Sequence, residues 1–464
     1  MTPKSHYDIV VIGSGQSGDP LARAFAKVGH SVVLIEREHV GGTCANTGCT
    51  PTKTMIASAR VAYLARRGAD FGVQVGGPVT VDFAQVRERK RAIVADFRGG
   101  TEKQLAHQDN LDLIYGQARF LSPTEISVKL NDGPEQTIMG GKFFINTGEH
   151  DVVPPLPGLD GVPYLDHAKI EELGSVPERL LILGGGYIAL EFAQMFRRFG
   201  SQVAIVEKSA RLLEHEDEDV SQEMERILFE DGIEIYTGSK ALKAAQMGAD
   251  VQLTVQTAES DQKMLSGSHL LVAVGRAPNT KNMGLDKAGV VTDEQGHIQT
   301  NAKLETNVAN IWALGDVKGG PAFTHISYDD YRILEANLLH DGQRTTEDRP
   351  VPYTVFTDPQ LGRVGMTERQ AKDKSLNIKV AKIPMTEVAR TLETDETRGF
   401  LKAVVDTDSG QILGCAMLCV DGGEVMSVLE TAMLGKLPYT VLRDGVFAHP
   451  TLSESLNNLF MTLD

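Results

Sequence analysis

Short apolar runs, glycine-containing turns and helix-length segments alternate along the first forty residues. YDIVVI at positions 7–12 is apolar and β-rich, GSGQSG follows it, LARAFAKVG has helical spacing, and SVVLIE closes the stretch. This order predicts a strand, a turn, a helix and a second strand. The same order returns at positions 180–208, in LLILGGGYIALEFAQMFRRFGSQVAIVEK. We therefore predict an α/β fold with two βαβ units, each with parallel strands.

Other patterns complete the predicted organisation. An amphipathic stretch from Phe83 to His107 predicts a helix, and TNVANIWALGDV contains a short apolar strand. The Pro/Gly-rich run VVPPLPGLDGVP, positions 152–163, predicts a linker. From about position 350, strands such as PYTVF, LKAVV and QILGCAMLC alternate with helices and carry no nucleotide-type turn, which predicts an α+β module.

Composition fits a soluble globular protein of several domains. The chain has 464 residues, of which 41% are hydrophobic and 23% are charged. Its formal net charge is -16, and its lysines and arginines form no basic stripe, so we expect neither nucleic acid nor a membrane as a partner. The apolar run Ile9 to Ile12 is too short for a signal peptide or a membrane span, and we expect a cytoplasmic protein.

The turns of both βαβ units have the residues of a dinucleotide-binding motif. Gly13 suits the tight turn, Gly15 allows a pyrophosphate to approach, and Gly18 allows close packing of the helix. Glu36 ends the second strand, where a carboxylate can accept hydrogen bonds from ribose hydroxyls. The second unit has a matching set of small residues and a terminal acid: Gly184, Gly185, Gly186, Ala189 and Glu207. Two such units predict two bound dinucleotides.

A third strand end also suggests ligand binding. The strand in TNVANIWALGDV leads into Gly315 and Asp316, a pair that could be an ordinary turn out of the core. After two nucleotide-type units we favour a functional interpretation. A glycine lets a ligand come close, and the carboxylate of Asp316 can hydrogen-bond a polyol such as the ribityl chain of a flavin.

Two of the four cysteines stand close together in GGTCANTGCTPTK, positions 41–53. The spacing of Cys44 and Cys49 permits a disulfide if the chain turns sharply, and Gly48 allows such a turn. A nearby cation such as Lys53 favours the thiolate. Zinc would need further ligands and usually a tighter spacing, so we predict no metal site.

The other two cysteines have a different setting. Cys415 and Cys419 lie in a strand-like run at positions of equal parity, about 13 Å apart at ~3.3 Å per residue. We favour buried hydrophobic side chains over a second redox pair.

Together these motifs resemble the flavoprotein disulfide reductases, a family that includes dihydrolipoyl dehydrogenase, glutathione reductase and mercuric reductase. The resemblance covers essentially the whole chain and rests on GSGQSG, GGTCANTGCTPTK, GGGYIALE, VGRAPNT, ALGDV and HPTLSE, in that order. It implies an FAD enzyme that takes hydride from a reduced nicotinamide and passes two electrons through flavin and a redox disulfide to a substrate. It also implies a first FAD-binding segment, an NAD(P)-binding domain, a second FAD-binding segment and a dimerisation domain, at 1–150, 151–275, 276–345 and 346–464.

The resemblance also assigns catalytic roles. Cys49 would face the flavin and Cys44 would exchange with substrate, while Lys53 would sit beside the flavin and pair with Glu191. His449, oriented by Glu454, would be the general acid/base and would reach the active site of the partner subunit in a homodimer. The cofactor-binding positions that it implies are Gly13, Gly15, Gly18, Glu36, Gly42, Thr43, Lys53, Ala118, Thr147, Gly148, Gly184, Gly186, Tyr187, Ile188, Glu207, Gly275, Arg276, Asp316 and His325.

The nicotinamide is expected to be NADH rather than NADPH. The carboxylate of Glu207 can bond free ribose hydroxyls and would repel a 2′-phosphate, although Lys208 and Arg211 lie close by in sequence.

The electron acceptor is less constrained. No cysteine precedes Cys44 and the tail SLNNLFMTLD has none, so we do not expect efficient Hg(II) reduction. FTHISYDDYRIL and AHPTLSESLNNLF are similar to a mercuric-reductase-like subgroup, the reactive-chlorine-resistance flavoproteins, which reduce hypothiocyanous acid or Cu(II). An NADH-preferring reductase of this subgroup is the leading hypothesis. Dihydrolipoyl dehydrogenase, whose usual GC(I)PSK reads GCTPTK here, and a redox-silent FAD-binding sensor or scaffold are the alternatives.

Overall fold

Strands and helices alternate over nearly the whole chain in the computed structural model, which describes residues 4–464. The helices are α1 (Gly18–Lys27), α2 (Gly42–Asn46), α3 (Cys49–Arg66), α4 (Phe83–Ala106), α5 (His167–Ile170), α6 (Tyr187–Phe199), α7 (Glu218–Glu230), α8 (Leu285–Ala288), α9 (Thr324–Leu339), α10 (Glu368–Asp373), α11 (Ala389–Glu393), α12 (Gly422–Leu434), α13 (Tyr439–Arg443) and α14 (Ser455–Met461). The predicted helix at Phe83 to His107 is therefore confirmed as α4.

The strands confirm both predicted βαβ units, as β1, α1, β2 and as β7, α6, β8. Their bounds are β1 (His6–Ile12), β2 (Val32–Glu36), β3 (Leu111–Ser122), β4 (Glu125–Leu130), β5 (Glu135–Ile145), β6 (Glu149–Asp151), β7 (Arg179–Leu183), β8 (Gln202–Val206), β9 (Glu234–Tyr236), β10 (Lys240–Met247), β11 (Asp250–Gln256), β12 (Gln262–Gly267), β13 (His269–Val272), β14 (Arg276–Pro278), β15 (Ile311–Ala313), β16 (Tyr353–Val355), β17 (Gln360–Gly365), β18 (Ile378–Pro384), β19 (Phe400–Asp406) and β20 (Ile412–Cys419).

The chain divides into two compact units, each built from three separate segments. The described part of unit 1 comprises residues 4–54, 85–152 and 275–349. Unit 2 comprises residues 55–84, 153–274 and 350–464. Residues 55–84 thus belong to unit 2, although they lie within the predicted first FAD-binding segment. The division into four functional parts remains a prediction.

Unit 1 is organised around β1, which pairs in parallel with β2 on one side and with β5 on the other. β3 extends this sheet in parallel beside β2, and β15 does so beside β5. β3, β4 and β5 also form an antiparallel meander. Because the strands flanking β1 are parallel to it, their carboxyl ends meet at one edge of the sheet, where ligands bind in open α/β sheets.

Burial explains why these segments fold as they do. The chain from Ile9 to Ile12 is almost fully buried, as expected for a strand covered on both faces. α1 turns Leu21, Ala22 and Phe25 toward the core and leaves Asp19 and Arg23 paired to each other at 2.9 Å on its other face. Apolar burial of this kind is what stabilises an amphipathic helix on a sheet.

Unit 2 contains three sheets. One is parallel, in the order β13, β7, β8, β9, and a second is the antiparallel set β10, β11, β12. The third is antiparallel, in the order β16, β17, β20, β19, β18. α12 packs on β17 and β20, and α14 packs on β18 and β19, so the predicted α+β module is present. No helix among the described residues is long and apolar enough to cross a membrane.

Candidate active site

The first glycine turn leaves no room for side chains. Gly13 has φ +99°, and a Cβ there would lie 2.2 Å from the backbone oxygen of Asn146. A Cβ on Gly18, where α1 begins, would lie 2.0 Å from the oxygen of Gly13, and one on Gly15 would lie 3.0 Å from Oδ1 of Asn146. The three glycines predicted for this turn are therefore needed for steric reasons, and they form a cradle at the N-terminus of α1.

Asn146 closes this cradle from the far side, and the sequence reasoning missed it. It follows β5 directly and is 7% exposed. Its Oδ1 accepts a hydrogen bond from Gly18 N at 3.0 Å, and its Nδ2 donates to Ser17 Oγ at 3.2 Å and to Leu314 O at 2.9 Å. The available signal was a polar residue directly after the apolar run FFI, in the stretch KFFIN.

Two predicted carboxylates lie in the same unit. Glu36 Oε2 accepts hydrogen bonds from Ser14 N at 3.0 Å and Ser14 Oγ at 2.6 Å, so the acid at the end of β2 is held against the glycine turn. Asp316 accepts from Ser327 Oγ at 3.3 Å and lies 3.8 Å from Nη1 of Arg276. Burial raises the pKa of Asp316, and the charge of Arg276 opposes this rise.

The loop that carries the cysteines packs directly against the cradle. Gly42 has φ +63°, and a Cβ there would lie 2.8 Å from Cα of Gly15. Gln16 Nε2 donates to Gly41 O at 3.1 Å, and Gly41 N donates to Ser14 O at 3.2 Å. Gly48 lies in the bend between α2 and α3, where a turn was expected. It also permits a close approach, since a Cβ there would lie 3.0 Å from the oxygen of Thr43.

Cys44 and Cys49 lie on two successive helices, α2 and α3, and their sulfurs interact. A hydrogen bond with Cys49, followed by burial, raises the pKa of the Cys44 thiol. Cys49 is the first residue of α3, and its Sγ lies 3.4 Å from Oγ1 of Thr324, the first residue of α9. The Thr324 hydroxyl and the charge of Lys53 both act to lower the pKa of Cys44. Thr324 is a second site residue that the sequence analysis missed.

The remaining predicted positions of unit 1 lie on several different elements. Thr43 lies on α2, Lys53 lies on the first turns of α3, and the exposed His325 stacks on Phe323 with ring centroids 5.5 Å apart. Thr147 and Gly148 follow Asn146, and both bond Asn279, through Thr147 Oγ1 to Asn279 O at 3.1 Å and Asn279 N to Gly148 O at 2.9 Å. The last two positions are Ala118, buried on β3, and Gly275, which has φ +131°.

The second glycine turn, in unit 2, is only partly closed. A Cβ on Gly184 would lie 2.2 Å from the oxygen of Ala273, and one on Gly185 would lie 2.7 Å from Cγ of Glu207. A Cβ on Gly186 would meet no described heavy atom within 4 Å. Tyr187 and Ile188 begin α6, with Tyr187 exposed. Glu207 Oε1 accepts a hydrogen bond from Ser209 N at 2.6 Å, which holds the acid at the end of β8.

The predicted acid/base pair also lies in unit 2. His449 Nδ1 is 2.8 Å from Oε2 of Glu454 and 3.1 Å from Oε1. The His449 side chain is 67% exposed, so its other nitrogen is open to a reaction partner. A carboxylate on one nitrogen fixes the tautomer and orients the ring. Glu191 is buried on α6 and accepts a hydrogen bond from Phe356 N at 2.8 Å, and its predicted pairing with Lys53 remains a prediction.

The second cysteine pair is confirmed as part of a core. Cys415 and Cys419 are 1% and 0% exposed and pack among the apolar side chains of the antiparallel sheet. Burial raises the pKa of the Cys415 thiol to about 12 and also raises that of Cys419. Thiols of this kind are inert. Among the described residues, no group of His, Cys, Asp and Glu side chains is arranged to hold a metal ion.

Comparison with known proteins identifies the family. The pyridine nucleotide-disulphide oxidoreductase family matches residues 7–330, and the dimerisation domain of that family matches residues 351–460. The chain belongs to this family. It is therefore an enzyme, a flavoprotein disulfide oxidoreductase, and the predicted fold class with two Rossmann-like domains and a dimerisation domain is confirmed. The family implies FAD and a nicotinamide nucleotide as cofactors.

Named relatives of this oxidoreductase include the subgroups predicted from the sequence. A probable pyridine nucleotide-disulfide oxidoreductase of Escherichia coli, RclA, is 40% identical over 98% of this chain and 98% of its own length. A mercuric reductase of Staphylococcus aureus is 34% identical over 99% of this chain and 82% of its own length. A dihydrolipoyl dehydrogenase of Bacillus subtilis is 32% identical over 99% of this chain and 98% of its own length. The solved Cu(II) complex of RclA superposes with a TM-score of 0.89, at 39% identity, over 98% of this chain and 100% of that one.

The first turn of this oxidoreductase fits FAD on steric and chemical grounds. Three glycines whose side-chain positions are blocked or crowded line the N-terminus of α1, where backbone N–H groups and the helix dipole favour a pyrophosphate. The carboxylate of Glu36 at the end of β2 suits the ribose hydroxyls.

Proposed function

We propose that this oxidoreductase uses NADH to reduce the Cys44–Cys49 pair, which then reduces a small-molecule acceptor. The observation that carries the proposal is the contact of two cysteine sulfurs with each other and with Thr324. The loop that bears the cysteines packs on the cradle that fits FAD. Such a pair needs no metal and no further cysteine to exchange electrons with a thiol-reactive substrate.

FAD would be held by Gly13, Gly15, Gly18 and Gly42, which allow close backbone approach, and by the carboxylates of Glu36 and Asp316. When bound, FAD supplies the two-electron transfer between a reduced nicotinamide and a disulfide. Asp316 is suited to a hydroxyl-rich chain because its carboxylate is already anchored by Ser327 and faces Arg276. The other proposed contacts are Thr43, Lys53, Ala118, Thr147, Gly148, Gly275, Arg276 and His325.

The two thiols would have different roles, and Cys44 would be the one that attacks the substrate. The raised pKa of Cys44 means that this thiol needs a base before it can attack, because the thiolate is the nucleophile. We assign that base to His449, oriented by Glu454 and contributed by the partner subunit of a homodimer. The match to the dimerisation domain supports the homodimer.

The exchange with a disulfide substrate balances in two steps. The Cys44 thiolate attacks one substrate sulfur, and the leaving thiolate takes a proton from His449. Cys49 then attacks Cys44, releases the second substrate thiol with a proton, and closes the Cys44–Cys49 disulfide. The substrate gains two electrons and two protons, and the cysteine pair loses them.

NADH is the proposed electron donor. Gly184, Gly186, Tyr187 and Ile188 would receive the nicotinamide nucleotide at the start of α6, and Glu207 would bond its adenosine ribose. Ser209 holds the Glu207 carboxylate in place, and Ser209 Oγ also donates to Glu214 at 2.8 Å. The fixed Glu207 carboxylate would repel a 2′-phosphate, which disfavours NADPH, although Lys208 and Arg211 lie close by in sequence.

Reactive sulfur species and Cu(II) are the acceptors that we favour. RclA, the relative at 40% identity, is described as HOCl-induced and has been solved as a Cu(II) complex. Reduction of two Cu(II) ions would consume the two electrons of the dithiol, form the disulfide and release two protons. We place the enzyme in the cytoplasm and keep the predicted segments 1–150, 151–275, 276–345 and 346–464 as its functional parts.

One steady-state panel tests this function. NADH or NADPH is combined with hypothiocyanous acid, Cu(II), lipoamide, glutathione disulfide or Hg(II), using wild type and Cys44→Ala. We expect NADH with hypothiocyanous acid or Cu(II) to give the highest kcat/KM, and Cys44→Ala to lose at least about a thousandfold of it while NADH still bleaches the flavin. Turnover that survives the substitution would exclude Cys44 as the exchanging sulfur, and lipoamide as the best acceptor would favour a dihydrolipoyl dehydrogenase.

A further inference from the structure

We infer that Asn146 is a positioning residue for FAD, because its side chain fixes the distance between the glycine cradle and the Gly315–Asp316 turn. The inference rests on the proposed FAD site in unit 1. It concerns a residue that makes no contribution to the dinucleotide motif itself and that follows a different strand, β5.

The Asn146 amide joins three separate segments of the chain. Its Oδ1 accepts from Gly18 N at 3.0 Å, and its Nδ2 donates to Ser17 Oγ at 3.2 Å and to Leu314 O at 2.9 Å. Gly18 lies in the cradle, and Leu314 precedes the turn that carries Asp316. The amide is thus bonded at once to the segment proposed for the pyrophosphate and to the segment proposed for the ribityl chain.

Glycines surround this amide on both sides. A Cβ on Gly18 would lie 2.9 Å from Oδ1, and a Cβ on Gly315 would lie 2.6 Å from Nδ2. Gly315 N in turn donates to the buried carboxylate of Asp330 at 2.9 Å. Because the amide touches backbone on each side and is almost fully buried, we expect a change in its length or bonding to alter the spacing between the two segments.

A neutral amide suits this place better than a carboxylate of the same size. It accepts from the N-terminus of α1 without adding a negative charge where a pyrophosphate would bind, and it also donates to the Leu314 carbonyl. An aspartate could keep the bond from Gly18 N and could accept from the Ser17 hydroxyl, but it would set an anionic oxygen against Leu314 O, which can only accept. Asn146→Asp is therefore a same-size variant with the wrong charge and the wrong donors.

The test measures FAD release from purified holoprotein. Wild type, Asn146→Ala and Asn146→Asp are diluted, free FAD is followed by its fluorescence, and thermal unfolding is recorded on the same samples. We expect Asn146→Ala to weaken FAD binding at least about tenfold, since it leaves Gly18 N and Leu314 O without their partner. Asn146→Asp should weaken it further, since it sets a negative charge against Leu314 O and beside the proposed pyrophosphate site. Asn307→Ala is the matched control: Asn307 accepts from Val291 N at 3.0 Å and donates to Gly289 O at 2.8 Å on the surface of the same unit.

The outcomes separate this inference from the proposed function. If purified wild-type protein contained no FAD, both the proposed function and this inference would be contradicted. FAD affinity within twofold of wild type in Asn146→Ala, even with lower thermal stability, would reduce Asn146 to a purely structural residue and overturn the inference alone. If Asn146→Ala does not fold, the isosteric Asn146→Asp decides, and FAD binding as tight as in Asn307→Ala would overturn the inference.

Discussion

The two glycine turns share one backbone design and differ in the side chain that lies behind it. Gly13 N donates to Ile35 O and Asn146 N donates to Ile12 O, each at 2.8 Å. In the second turn Gly184 N donates to Val206 O at 2.9 Å and Ala273 N donates to Leu183 O at 2.8 Å. Ala273 thus holds the place of Asn146, with a methyl group instead of an amide.

A second difference lies in how much room the glycines leave. In the first turn Asn146 Oδ1 lies within 3.0 Å of the Cβ positions of both Gly15 and Gly18. In the second turn the position of Gly18 is taken by Ala189, which is fully buried, and Gly186 borders open space. We infer that the first turn is built to hold its nucleotide permanently and the second to exchange one in each catalytic cycle.

Gly18→Ala would break the first turn and should have the largest effect. The added methyl group would overlap the oxygen of Gly13, which lies 2.0 Å from its position, and would crowd Oδ1 of Asn146. We expect FAD to be lost on purification and stability to fall by about 1–3 kcal/mol. Visible absorbance and thermal unfolding check this. Gly99→Ala, in α4 with no described neighbour near its Cβ, should keep FAD and be at least as stable as wild type, because alanine is the better helix former.

Glu207→Gln tests whether the second turn discriminates between nicotinamides. Removing the charge should raise the ratio of kcat/KM for NADPH over NADH about tenfold, because a 2′-phosphate would no longer face that carboxylate. Steady-state kinetics with both donors measure the ratio. Glu36→Gln, the matching acid of the first turn, should leave the ratio unchanged and weaken FAD instead. A shift of the ratio in Glu36→Gln would contradict the assignment of the two turns.

Thr324→Val should affect the redox pair while both turns stay intact. The hydroxyl lies 3.4 Å from Cys49 Sγ and can stabilise a thiolate there. Its loss should raise, by about one pH unit, the pH at which the long-wavelength thiolate absorption band of the NADH-reduced enzyme is half-developed. Thr324→Ser, which keeps the hydroxyl, should have the same midpoint as wild type. An unchanged midpoint in Thr324→Val would show that the hydroxyl does not act on the thiolate.

The sequence was sufficient to predict those site residues that belong to a motif within one short segment of the chain. Gly13, Gly18 and Glu36 lie within one βαβ unit, and the requirement for glycine at a tight turn follows from the chain itself. Asn146 and Thr324 could not be found this way. Asn146 bonds Gly18, 128 residues earlier, and Thr324 meets Cys49 from 275 residues away. The sequence separation between each of these residues and its partner belongs to no known motif. Only the folding of unit 1 brings each residue to its partner.

Gly186→Ala should have the smallest effect and gives the sharpest test of the open second turn. Gly186 has φ -81°, which any residue adopts, and its Cβ would meet no described heavy atom within 4 Å. Stability should therefore change by less than about 0.5 kcal/mol.

The methyl group would instead occupy space that we assign to the nicotinamide nucleotide. KM for NADH should rise about threefold to tenfold with FAD content unchanged, since the second glycine of such a turn allows close approach of the pyrophosphate. Gly99→Ala again provides the control, with wild-type KM. If Gly186→Ala lost stability or FAD while KM stayed constant, the second turn would be as closed as the first, and the contrast between a permanent and an exchangeable nucleotide would have to be abandoned.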